Sequence, residues 1–190
     1  LNKALTYYDK ELEACPLSGV LWNQKGNVFY LKEKYNDAIK CYDKALEILP
    51  DNPIIWANKA YAFYEKKHYN EALEYFSKSL EVNGSYVEAM TMKGKIFCEQ
   101  KKYSDSLDCY EKAIDINPDY SVAWAGMGDV YYEQEKYEKS IDCYNKSIAL
   151  NPDDPLVWNS KGVSLYSIGN YKEAIECYER SLEINPDDDV

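Results

Sequence analysis

Hydrophobic and polar positions along the chain recur every 34 residues. Trp22, Trp56, Trp124 and Trp158 lie on that grid, and Met90 fills the remaining place. Four positions later come Gly26, Ala60, Gly94, Gly128 and Gly162, and three beyond those Phe29, Phe63, Phe97, Tyr131 and Leu165. A second set keeps the same phase: Ala38, Ala72, Ser106, Ser140 and Ala174, then Tyr42, Phe76, Tyr110, Tyr144 and Tyr178. Each unit closes on Pro50, Gly84, Pro118, Pro152 or Pro186. Self-similarity at such a period marks a repeat architecture, in which stacked copies of one small unit share a continuous core.

Within a unit the spacing predicts two helices. Trp, Gly and the aromatic residue sit at i, i+4 and i+7, one face of a helix, and the small residue and aromatic of the second segment do the same. Between the segments lies a short polar link such as EKKHY or EQEKY, after which Asn36, Asn70 and Ser104 are the expected N-caps. Proline after the second segment ends it, because it disfavours helical geometry in the residue before it. A Gly or Ala opposite each large ring allows the paired helices to approach closely.

These residues, W-x3-G-x2-F/Y, then A/S-x3-Y/F, then P, resemble the tetratricopeptide repeat. The resemblance covers essentially the whole chain: five full units at 19–52, 53–86, 87–120, 121–154 and 155–188. Residues 1–18 precede them and match the second helix of an incomplete unit, with Ala4, Tyr8 and Pro16 in phase. It implies an all-α fold, a right-handed superhelical α-solenoid of antiparallel helix pairs, with each first helix lining a concave side. A single continuous solenoid is expected, cut from a longer array. One departure is systematic. Lys25, Lys59, Lys93 and Lys161 stand where the family usually has an apolar residue before the glycine, and only Met127 is apolar. The slot lies beside the core stripe, where a lysine stem covers apolar surface while its head stays in water.

With Trp as slot four of a unit, slots two, six, nine and thirteen lie opposite the core stripe, with five and twelve at its margins. They hold mostly uncharged residues, with Tyr at slot twelve in four of the five units. Amides and tyrosines on a low-charge surface suit a peptide groove, since amides pair with a peptide backbone and Tyr adds rigid contact area. The candidate peptide-binding residues are Asn23, Asn27, Tyr30, Asn58, Tyr61, Tyr64, Lys95, Tyr132, Asn159 and Tyr166. The competing reading packs the slot-twelve tyrosines partly against the neighbouring unit. Some family members hold acidic chaperone tails with a two-carboxylate clamp of Lys, Asn, Asn, Lys and Arg. Here Asn27 and Asn58 match, but Asn23, Glu88 and Met92 replace the cations, so no clamp is expected.

Charge narrows the partners. A net charge of −11 and a pI near 4.7 oppose nucleic-acid and anionic-membrane surfaces, which draw affinity from Lys and Arg. No apolar run is long enough to span a bilayer, and residues 1–20 carry Asp9, Glu11 and Glu13 where a signal peptide needs an unbroken apolar stretch. A cytoplasmic protein is the expectation. The six cysteines include no CxxC, and His68 has none within metal-ligand spacing, so neither a metal nor another cofactor is expected. Cys41, Cys109, Cys143 and Cys177 share one slot and report the repeat rather than redox chemistry. No serine has a histidine partner and no Gly-rich phosphate loop exists, which leaves no candidate catalytic residue and argues against an enzyme.

Two functions remain. One is a protein–protein interaction scaffold that binds an extended peptide or a partner helix in the groove. The other is a structural assembly module that self-associates through uncapped solenoid ends. Ile175, Leu182 and Ile184 on the last helix, and the absence of a polar capping helix around Pro186–Val190, motivate the second.

Overall fold

The structure is a computed structural model and describes residues 1–186; Asp187 to Val190, part of the expected last unit and chain end, lie outside the described residues. Eleven helices occur among the described residues. They are α1 (Asn2–Ala14), α2 (Gly19–Tyr30), α3 (Tyr35–Ile48), α4 (Pro53–Glu65), α5 (Tyr69–Val82), α6 (Val87–Glu99), α7 (Tyr103–Ile116), α8 (Ser121–Glu133), α9 (Tyr137–Leu150), α10 (Pro155–Ser167) and α11 (Tyr171–Ile184). The chain divides into two compact units, Leu1–Ala89 and Met90 onward. In the first, α2 packs on α3 and α4 on α5, while α1·α2 and α3·α4 join successive pairs. In the second, α8 packs on α9 and α10 on α11, and α7·α8 and α9·α10 make the joins.

The first helices start with the caps their sequences provide. Asn52 accepts from the backbone N–H groups of Ile54 and Ile55 at 3.0 and 3.3 Å, and Pro53 takes the first helical position, where its missing N–H is harmless. Asp154 and Pro155 repeat that arrangement in α10, with Leu156 N–H donating at 3.1 Å. The second helices start differently, which corrects the expected caps. Asn36, Asn70 and Ser104 are the second residues of α3, α5 and α7; Lys34, His68 and Lys102 stand at the N-cap and make no side-chain cap bond.

The reason lies in how the preceding helix ends. Lys34 N–H donates to Phe29 O at 2.9 Å and Glu33 N–H to Tyr30 O at 2.8 Å, the paired bonds of a Schellman motif. Its left-handed residue is Glu33, Lys67, Lys101, Glu135 or Gly169, with φ of 57°, 60°, 59°, 58° and 80°. The residue after it closes one helix and opens the next, so no side-chain cap has room. Gly169 alone is suited to this backbone, and a Cβ there would meet nothing within 4 Å. Gly169→Ala should therefore destabilise by about 1 kcal/mol through backbone strain alone. Chemical denaturation reads this as a lower midpoint with unchanged slope; an unchanged midpoint would contradict the strain.

Packing ties the repeat landmarks together. The indole N–H groups of Trp22, Trp56, Trp124 and Trp158 donate to the carbonyls of Pro16, Pro50, Pro118 and Pro152 at 3.0, 2.7, 3.1 and 2.8 Å. Met90 and Gly84 replace both members of the pair together. Two of the slot-seven lysines, Lys25 and Lys59, do not leave their heads in water, which corrects that expectation for them. Lys25 Nζ pairs with Asp9 and Lys59 Nζ with Asp43, each at 2.6 Å, and Lys59 also lies 4.0 Å from the Tyr75 ring centroid. In both, a stem that lies against the Trp ring carries its ammonium to the preceding second helix, where an aspartate meets it. The described cysteines are all free, and burial pushes the Cys41 and Cys143 thiols up to about 11, which keeps them protonated.

Candidate functional site

In the first unit the first helices α2 and α4 bring Asn23, Asn27 and Asn58 into one hydrogen-bonded cluster. Tyr42 Oη donates to Asn27 Oδ1 at 2.9 Å, and Asn58 Nδ2 donates to Asn23 Oδ1 and Asn27 Oδ1 at 3.0 and 3.3 Å. Asn27, Tyr30, Leu31, Tyr42, Asn58 and Tyr61 line a recess of about 370 Å³. An amide offers two donors and one acceptor oxygen. The internal bonds occupy the acceptors of Asn23 and Asn27, which leaves their N–H groups and the Asn58 carbonyl as the cluster's complement to a peptide backbone. Tyr30 forms one wall. Its ring meets Tyr35 edge-on at 5.5 Å and its hydroxyl donates to Glu65 Oε1 at 3.1 Å. Burial, then the neighbouring Glu65 carboxylate, holds that phenol well above its ordinary pKa.

The slot-twelve tyrosines thus pair within their own repeat. Tyr64–Tyr69, Tyr132–Tyr137 and Tyr166–Tyr171 repeat the Tyr30–Tyr35 contact at 5.8, 5.5 and 5.2 Å. Tyr64 lies beyond the lining of the recess, and Tyr166 is 61% exposed and lines none of the described recesses of the second unit.

In the second unit the centre is Asp129, read from sequence as an inner-face position but not singled out. It lines three adjoining recesses. Lys95, Cys98 and Tyr110 share one of about 260 Å³ with it; Lys95, Gly126, Leu156 and Ser160 share one of about 280 Å³. The last, of about 210 Å³, joins Asp129 to Tyr132, Glu133, Tyr144, Asn159, Ser160 and Val163. Tyr144 Oη donates to Asp129 Oδ1 at 2.7 Å. Asp129 is open to solvent on the groove side yet crowded by protein on the others. That crowding raises its carboxyl pKa, against the Tyr144 hydrogen bond and the Lys95 charge, which lower it. Lys95, Tyr132 and Asn159 are therefore gathered around a carboxylate. A signal was present: slot nine holds the only acidic residue of its column, Asn27, Tyr61, Lys95, Asp129 and Val163.

Two slot-five residues offer little surface: Ala57 is 1% and Thr91 5% exposed, although Thr91 still lines a recess of the second unit. Slot two does the opposite. Val20 and Ile54 in the first unit, and Val122 and Leu156 in the second, are 51% to 68% exposed. Among the described residues no group of three His, Cys, Asp or Glu is placed to hold a metal ion, and no helix is long and apolar enough to cross a membrane.

Sequence comparison agrees with this geometry. The family pattern described as TPR repeat matches residues 26–67, 94–134 and 128–169, and that described as Tetratricopeptide repeat matches 53–86 and 155–188. The chain belongs to the tetratricopeptide repeat family. Solved tetratricopeptide repeat folds resemble it along most of its length. MamA 41-end from Desulfovibrio magneticus RS-1 is 19% identical with a TM-score of 0.73, covering 90% of this chain and 97% of that one. YrrB, described as a TPR protein with an unusual peptide-binding site, is 18% identical with a TM-score of 0.65, covering 95% and 93%. A chain of the APC/C hetero-tetramer Cut9–Hcn1 is 18% identical with a TM-score of 0.84, covering 99% of this chain and 38% of that one. At these identities the likeness is one of fold. No curated protein matches the sequence. The tetratricopeptide repeat assignment makes the chain a protein-interaction scaffold of all-α helix pairs.

Proposed function

We propose that the chain binds an extended peptide or a partner helix on the inner faces of its first helices, without a two-carboxylate clamp and without catalysis. The observation that carries this is the tied amide cluster of Asn23, Asn27 and Asn58. Asn27 and Asn58, tied to each other, to Asn23 and to Tyr42, line a recess walled by tyrosines, so little side-chain freedom is lost when a peptide backbone pairs with them. The peptide-binding site named for YrrB supports the same use of this fold. Tyr64, Lys95, Tyr132, Asn159 and Tyr166 belong to the proposed surface with Tyr30 and Tyr61, and the repeats are proposed to run 19–52, 53–86, 87–120, 121–154 and 155–188. A binding role in place of an enzyme is supported by His68, which is exposed at the N-cap of α5, pairs with Glu71 at 3.4 Å and lies 6.2 Å from the Phe63 ring.

A second reading, an assembly surface, is supported by α11. Ile175 is 56% and Leu182 44% exposed, whereas Ile141 on α9 packs against Leu165, Ala174 and Cys177.

Peptides selected from a displayed random library on the whole chain test the first reading. They should bind Asn23→Ala/Asn58→Ala about tenfold more weakly, the loss expected of about two hydrogen bonds. Circular dichroism controls for folding. Selected peptides that bind the folded variant as tightly as the parent would end the amide-cluster proposal.

A further inference from the structure

The recess of the first unit and the smallest recess of the second occupy one register, 102 positions apart. Tyr30 and Tyr42 correspond to Tyr132 and Tyr144, so two aromatic walls are kept, while Tyr61 becomes Val163 and Asn58 becomes Ser160. The bond from the second-helix tyrosine to slot nine is kept as well, 2.9 Å to Asn27 and 2.7 Å to Asp129. The difference that bears on specificity is charge. Asn27 becomes Asp129 and Leu31 becomes Glu133, and no Lys or Arg lines the second recess. Lys95, which lines the two neighbouring recesses with Asp129, is not among the residues that line it. A cavity built twice in one chain, with its frame conserved and its charge changed, has the form of a subsite whose specificity was altered.

We infer that the second recess takes the Lys or Arg side chain of a partner peptide, whereas the first takes an uncharged one. This rests on the peptide-scaffold reading and narrows it. Tyr144 occupies Asp129 Oδ1, which leaves Oδ2 and the Glu133 carboxylate for a cation, while the Tyr132 ring and Val163 offer apolar surface for the aliphatic stem. Aromatic faces next to carboxylates favour an ammonium or guanidinium over a neutral group of like size. The net charge of −11 draws basic segments at encounter.

The displayed library used on the whole chain also tests this. Wild-type selections should be enriched in Lys and Arg. Asp129→Asn/Glu133→Leu makes the second recess uncharged like the first and retains a partner for Tyr144; it should bind Lys-bearing peptides about tenfold more weakly, the loss of one partly screened charge pair. The same peptides with that Lys replaced by norleucine should not distinguish the two proteins. Asn27→Asp/Leu31→Glu should raise the Lys and Arg content of selected peptides. Lys-bearing peptides that bind Asp129→Asn/Glu133→Leu unchanged, or selections enriched in Asp and Glu, overturn the inference. Should selected peptides still lose affinity on Asn23→Ala/Asn58→Ala, the scaffold reading survives that result. If no selected peptide responds to either variant, both fall.

Discussion

Gly26→Ala is expected to destabilise the first unit by about 2 kcal/mol. A Cβ on Gly26 would sit 2.5 Å from Cε1 and 2.7 Å from Cδ1 of Tyr42. That ring is 1% exposed, is packed among Ala38, Ala45, Leu46, Ile55 and Ala62, and is pinned by its hydroxyl to Asn27. Overpacking of about 3 kcal/mol outweighs the gain of about 1 kcal/mol that alanine brings to a helix interior. The second repeat shows how the frame accommodates a methyl group. There Ala60 stands at the same slot, and its partner Phe76 has no hydroxyl to hold it. Tyr42→Phe should therefore recover about 1 kcal/mol in the double variant, a favourable coupling in a double-mutant cycle of denaturation midpoints. Strict additivity of the two changes would show that the hydroxyl does not pin the ring. Gly128 meets Tyr144 at 2.5 Å and should behave as Gly26 does.

Asp43→Ala should destabilise by about 2 kcal/mol because it strands Lys59. The lysine side chain is 10% exposed and its ammonium lies 2.6 Å from Asp43, which is itself 47% exposed. Breaking a fully buried pair costs about 3–5 kcal/mol and an exposed one less than about 1, so a half-screened pair falls between them. Removal of the lysine has a different result. Met127 occupies the same slot two repeats later, so Lys59→Met should be neutral within about 0.5 kcal/mol, and Asp43→Ala added to it should cost little more. Thermal unfolding of the three variants decides this. A Lys59→Met protein as unstable as Asp43→Ala would mean that the pair itself stabilises the repeat stack.

The helix pairs and the small-against-large contacts were legible because they depend on spacing within one helix or one unit. Gly26 and Tyr42, or Gly128 and Tyr144, face one another at a separation that the period makes visible. The N-caps were misread because Asn36 and Asn70 are good cap residues by type, whereas the Schellman turn before them is closed by backbone bonds that have no side-chain signature. The ion pairs of Lys25 and Lys59 were not legible because their partners, Asp9 and Asp43, lie on a different helix pair. The same holds for Trp and Pro, both visible as landmarks yet joined only when the indole N–H reaches back across the loop.

At the site, sequence located the inner-face slots and their low charge. It could not orient the amides of Asn23, Asn27 and Asn58, since the acceptors of Asn23 and Asn27 are claimed by groups from neighbouring helices. Nor did it separate Asp129 from many other carboxylates. By itself the sequence determined the period, the helical faces and the family, since these follow from which residues recur at helical spacing. Tertiary structure alone decided which polar groups are already satisfied, and so which remain for a partner. That depends on distances between side chains brought together only by the stacking of helices.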